Sequence, residues 1–83
     1  MSQVDYSRLR SLTARRLIRA LGRDGFSLER QAGSHQQFYH PDGRRVTVSF
    51  DGPGETFTSR ILRIMIRDQA QWTEEDLSRL GLL

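Results

Sequence analysis

The sequence predicts an α+β domain in which one helix precedes a three-stranded antiparallel meander, a second helix and a short extra C-terminal helix follow, and the main helices share one face of the sheet. Three observations carry this. Apolar residues recur at helical spacing on both sides of a central stretch in which they alternate with polar ones. The central stretch contains His40-Pro41-Asp42-Gly43-Arg44, which has the residue order of a hairpin turn. Each helical stretch is preceded by a threonine set between two apolar residues, the pattern of a capped and stapled helix start.

Residues 1–11 read as a polar N-terminal extension and residues 12–83 as a single domain. In the stretch 13–24, Ala14, Leu17, Ile18 and Leu21 share one helix face. Thr13 caps this helix, Leu12 and Leu17 staple its start, and Gly25 stops it. Arg15, Arg19 and Arg23 line another face. Phe26 and Leu28 then alternate with Ser27 and Glu29, and Val46, Val48 and Phe50 alternate with Thr47 and Ser49, so the period becomes that of strands.

The turn at residues 40–44 fits a type I turn with a Gly bulge and sets the register of the second hairpin. Phe38 then opposes Val46 and Gln36 opposes Val48 on the core face; Gln37 opposes Thr47, Tyr39 opposes Arg45 and His35 opposes Ser49 on the other. For Leu28 to share the core face with Phe38, the first hairpin requires a three-residue loop, Ala32-Gly33-Ser34, which sets Gln31 beside His35. Asp51-Gly52-Pro53-Gly54-Glu55 is a connecting loop, too short and too acidic for a phosphate cradle. Thr58, between Phe57 and Leu62, opens a helix over about 59–69 that buries Ile61, Leu62, Met65 and Ile66. Thr73, between Trp72 and Leu77, opens the last helix over about 74–80, with Asp76 completing the cap and Gly81 ending it.

The chain has 83 residues, of which 36% are apolar, enough for one modest core. It has no cysteine, which excludes disulfides, thiolate zinc sites and thiol nucleophiles. No apolar run is long enough to span a bilayer and the start lacks a secretory signal, so a soluble cytoplasmic protein is expected. The formal charge of +3 is unevenly spread: residues 1–50 hold nine Arg and four acids, residues 51–83 four Arg and six acids. Every cation is Arg, whose guanidinium forks onto phosphate and stacks on bases. A GC-rich genome would also produce that bias.

His35 and His40 are the only histidines, and neither has a carboxylate or thiol at metal-ligand spacing, so no metal and no cofactor is expected. The register sets His40 at the hairpin mouth and His35 on an open polar face with Gln31, Gln37, Tyr39, Thr47 and Arg45. An imidazole there can take a proton from a ribose 2′-OH and return one to a leaving oxygen, while Arg45 can stabilise charge on the phosphate. Arg45 would equally serve as a solvated strand end, and Tyr39 as a base-stacking platform or as cover for the sheet. Ser34 reads first as a turn residue, and beside His35 as a candidate RNA contact. Arg15 and Arg19 read as a solvated helix face or as contacts to an RNA backbone.

The run Gly33-Ser34-His35-Gln36-Gln37-Phe38, followed by His40-Pro41-Asp42-Gly43-Arg44-Arg45-Val46-Thr47-Val48 and preceded by a helix ending at Gly25-Phe26, resembles the HicA mRNA interferase toxin family. The match is good over residues 12–50 and looser over 57–80. It implies a fold like a double-stranded-RNA-binding domain, endoribonuclease activity on mRNA, a HicB-type antitoxin as partner, and His35 as the catalytic residue. Two departures stand out: where the family often has Pro and a nearby His after the third strand, this chain has Ser49-Phe50-Asp51, and where the next helix often begins Gly-Thr it has Thr58-Ser59. The alternatives are a non-catalytic RNA-binding module of the same fold and a domain that binds only protein.

Overall fold

The computed structural model describes residues 4–83. Its elements are a 3₁₀ turn at Tyr6–Leu9, α1 (Ala14–Asp24), β1 (Ser27–Ala32), β2 (His35–Tyr39), β3 (Arg45–Ser49), α2 (Ser59–Arg63) continuing as a π-helical segment (Ile64–Gln69), and α3 (Glu74–Arg79). This is the expected α+β arrangement, an open antiparallel sheet in the order β1-β2-β3 with helices on one face. Among the described residues no helix is long and apolar enough to cross a membrane.

The three threonine caps all form. The hydroxyl oxygens of Thr13, Thr58 and Thr73 each accept from a backbone N–H in the first turn, and Asp76 returns the bond to the Thr73 N–H at 2.9 Å. Two further N–H groups at the start of α1 are satisfied by the loop before α2: Ala14 donates to the Glu55 carbonyl at 2.8 Å and Arg15 to that of Pro53 at 2.9 Å. That loop is a connector whose carbonyls cap a neighbouring helix. Gly25 ends α1 at φ +106°, and a Cβ there would stand 2.8 Å from His40 Nε2, so both backbone conformation and close approach require glycine.

The core lies between sheet and helices, where Phe38, Val46 and Val48 meet Leu17, Leu21, Leu62, Met65, Ile66, Trp72 and Leu77. Ala20 completes the buried stripe of α1, and Ile18 packs at its margin. Leu9 and Leu12 are each 1% exposed, so the segment before α1, read as a polar extension, in its described part contributes a leucine to the same core. Ile61, expected inside, is 42% exposed. From Leu62 the buried stripe runs through Met65 and Ile66 to Ala70, and Ile61 falls on its flank.

The second helix departs from the expected single α-helix because it widens after Arg63. Ala70 N–H bonds the carbonyl five residues back, Met65, at 2.8 Å, and Trp72 N–H bonds that of Ile66 at 2.8 Å. The chain leaves this segment through Gln71 at φ +58°, a position usually held by glycine. Within the segment, Gln69 Oε1 accepts from Thr47 N–H at 3.0 Å and so covers part of the outer edge of β3.

The β2–β3 register is the expected one in all five pairs, from His35 opposite Ser49 to Tyr39 opposite Arg45. The first hairpin differs. Ala32 opposes His35, the loop is the two residues Gly33-Ser34 with Gly33 at φ +60°, and a bulge between Leu28 and Arg30 absorbs one residue. Leu28 therefore still opposes Phe38, but through the bulge at Glu29 and not through a longer loop. It remains 49% exposed because β1 is an edge strand over which the helices do not reach.

Candidate functional site

Side chains alternate across a strand, so the paired residues facing away from the helices form three cross-strand rows. The first is Ala32, His35 and Ser49; the second is Arg30, Gln37 and Thr47; the third is Ser27, Tyr39 and Arg45. Successive rows lie roughly 7 Å apart along the strands. These rows carry two guanidiniums and no carboxylate, while the unpaired bulge residue Glu29 lies beside them. The face is open: Arg30, His35, Arg45 and Ser49 are exposed, and Gln37, Tyr39 and Thr47 are half-buried.

His35 stands at one end of this surface. Its Nδ1 is 2.5 Å from Ser49 Oγ, and Nε2 has no hydrogen-bond partner among the described residues. At the other end the Arg45 guanidinium lies over the Tyr39 ring at 4.8 Å from its centroid, so these side chains form one cationic, planar platform. Gln37 lies between. Ser34 occupies the second position of the two-residue turn that precedes His35. Thus the fold brings His35, Gln37, Tyr39 and Arg45 to one face with Ser34 at its rim. Arg15 and Arg19, by contrast, are exposed on α1, in the helix layer on the other side of the sheet.

Sequence reasoning missed Arg30. The assumed loop put Gln31 next to His35, whereas the bulge turns Gln31 opposite Gln36 and brings Arg30 opposite Gln37 on the open face. The missed signal was Gly33-Ser34 itself, since Gly-Ser between two strands favours a two-residue turn. The register alone sets Ser49 opposite His35, and the structure adds the hydrogen bond between them.

His40 has different surroundings. Its Nε2 lies 2.7 Å from the Asp24 carbonyl, which can only accept, so Nε2 carries the hydrogen; Nδ1 lies 3.1 Å from Asp42 N. Its ring packs edge-on against Phe26 with centroids 5.1 Å apart. The neighbouring Arg44 turns inward as well: it donates to the Ala70 carbonyl and pairs with Asp24 and Asp42. Asp24 also accepts from the Trp72 indole at 2.9 Å and from Arg79 at 2.8 Å. Burial alone would raise the Asp24 pKa, but the bonds from Trp72, Arg79 and Arg44 outweigh it and hold the carboxyl below the usual range. These residues fasten the turn, the end of α1 and the C-terminal part together. They leave His35 as the histidine with an open polar surface.

Among the described residues no group of three or more His, Asp or Glu is arranged to hold a metal ion. A family model described as the HicA toxin of bacterial toxin–antitoxin systems matches residues 14–71, a stretch that includes α1, the whole sheet and the π-helical segment. No curated protein matches the chain.

Proposed function

The chain belongs to the HicA toxin family, which makes it the toxin of a toxin–antitoxin system with a cognate antitoxin as partner; on that premise we propose that it is a metal-independent endoribonuclease acting on mRNA in the cytoplasm, with His35 as general acid and base. The observation that carries the reading is His35 itself, exposed at the end of a cationic sheet face with Nε2 unengaged by the described residues. In this chemistry Nε2 takes the proton of a ribose 2′-OH, O2′ attacks the adjacent phosphorus, the P–O5′ bond breaks and the proton passes to O5′. Products then end in 2′,3′-cyclic phosphate and 5′-OH. The nucleophile comes from the substrate, so the step requires no metal.

On this reading the basic residues have different duties, and the row spacing supports the division. Arg45 lies two rows from His35, roughly 14 Å along the strand, so with Tyr39 it fits a flanking nucleotide, its guanidinium on phosphate and the ring against a base. Arg30 lies one row away and is better placed to balance charge near the scissile phosphate. Gln37 between them offers a donor and an acceptor, and Ser34 a hydroxyl at the rim. Arg15 and Arg19 would reach only RNA that also passes over the helix layer. The antitoxin, read as HicB-type, docks on the same open face and silences it by occupying it.

The purified chain, incubated with end-labelled RNA in EDTA, is expected to cleave it and to leave DNA intact. Loss of cleavage in chelator, with recovery on adding Mg²⁺ or Mn²⁺, would overturn the mechanism. Changing Gln37, Tyr39 and Arg45 together to Glu is expected to remove both cleavage and antitoxin capture. Capture at wild-type strength would move the antitoxin to another face.

A further inference from the structure

His35 and Ser49 are cross-strand partners with directly opposed side chains, and the ladder fixes how far each can reach. The short serine side chain meets the near ring nitrogen, Nδ1, at 2.5 Å, and leaves the far nitrogen pointing away from the pair. A neutral imidazole carries one N–H, and the partner of one nitrogen decides which atom holds it. A serine oxygen can accept from Nδ1–H, and that bond is compatible both with a neutral ring whose Nε2 is bare and with the imidazolium. We propose that Ser49 is the positioning residue of the site: its oxygen accepts from Nδ1–H and thereby keeps Nε2 as the outward lone pair that exchanges the proton with RNA.

The proposal rests on His35 acting as the general base. It adds the reason why one bond suffices for both halves of the reaction. When Nε2 has taken the 2′-OH proton, Nδ1–H still donates to Ser49, so neither side chain has to move before the proton passes to O5′. A donor-only partner would force the opposite tautomer. A carboxylate would favour the cation and hold the proton more tightly.

The ¹⁵N shifts of His35 in the full chain, at a pH where the ring is neutral, test the assignment directly. The wild type is expected to show a protonated Nδ1 and a bare Nε2. Ser49→Ala should move the population toward Nε2–H, and Ser49→Thr, which keeps a hydroxyl on a side chain suited to strands, should restore it. Single-turnover RNA cleavage should fall about five- to tenfold in Ser49→Ala, the loss expected for one hydrogen bond, with little change in RNA affinity. Ser49→Thr should recover most of that loss. Predominant Nε2–H in the wild type, or an unchanged ring in Ser49→Ala, would overturn the proposal, and so would a wild-type rate in Ser49→Ala. Should His35→Ala retain cleavage, the general-base reading fails separately, and the shift comparison still decides what Ser49 does to the ring.

Discussion

His35→Ala is expected to abolish RNA cleavage and growth arrest while changing stability by about 0.5 kcal/mol or less, because an exposed strand side chain is removed and nothing buried loses its partner. His40→Ala is expected to do the reverse. It removes the bond to the Asp24 carbonyl and the edge contact with Phe26, at a cost of about 1–3 kcal/mol, yet below its melting temperature the variant should still cleave. Denaturant melts and an RNA assay on both variants check the contrast; an active His35→Ala would remove the catalytic assignment. The half of this contrast that concerns His35 could be read from the sequence, since alternation and one turn suffice to turn it away from the core. The bond of His40 to a carbonyl sixteen residues earlier could not, because it depends on where α1 ends in space. The same holds for Arg44 and Arg45: adjacent in the chain, they point to opposite sides of the strand, one into an ion cluster and the other onto Tyr39.

Elements were most legible where local chemistry left one solution. The residues Pro41-Asp42-Gly43 determine the second hairpin, whose loop closes with Gly43 N–H on the His40 carbonyl and His40 N–H on that of Arg44, both at 2.9 Å. The first hairpin had two solutions that both set Leu28 opposite Phe38, a longer loop or a shorter loop with a bulge, and the hydrophobic pattern cannot separate them. That ambiguity hid Arg30 and so part of the candidate site. The widened helix was also out of reach of a periodicity argument, because it follows from where the chain must exit toward Trp72 and where Gln69 meets β3. Its exit strains Gln71. Gln71→Gly, which suits the positive φ, is therefore expected to raise stability by about 0.5–1 kcal/mol with no change in cleavage. An unchanged or lower denaturation midpoint would show that Gln71 makes a compensating contact.

At the scale of the whole molecule the Asp24 cluster ties the end of α1 to the turn after β2, to Trp72 and to α3. Its pKa lies below the unfolded value of about 3.9, so the stabilisation is fully present above that value and is lost as the pH falls through the folded one. Thermal melts are expected to be level at neutral pH and to drop steeply below about pH 4, whereas Asp24→Asn should start about 2 kcal/mol lower and lose less on acidification. A variant curve parallel to that of the wild type would relocate the acid sensitivity. The side-chain partners of Asp24 lie 20, 48 and 55 residues along the chain, whereas the meander pairs only neighbouring strands. Contacts that close such long loops are disfavoured until the rest of the chain has condensed, so the transition state for folding should contain the sheet but not this junction. Asp24→Asn should then accelerate unfolding and leave the refolding rate nearly unchanged in a chevron plot. In that case the junction acts as a latch, setting how long a folded toxin lasts and not how fast it forms.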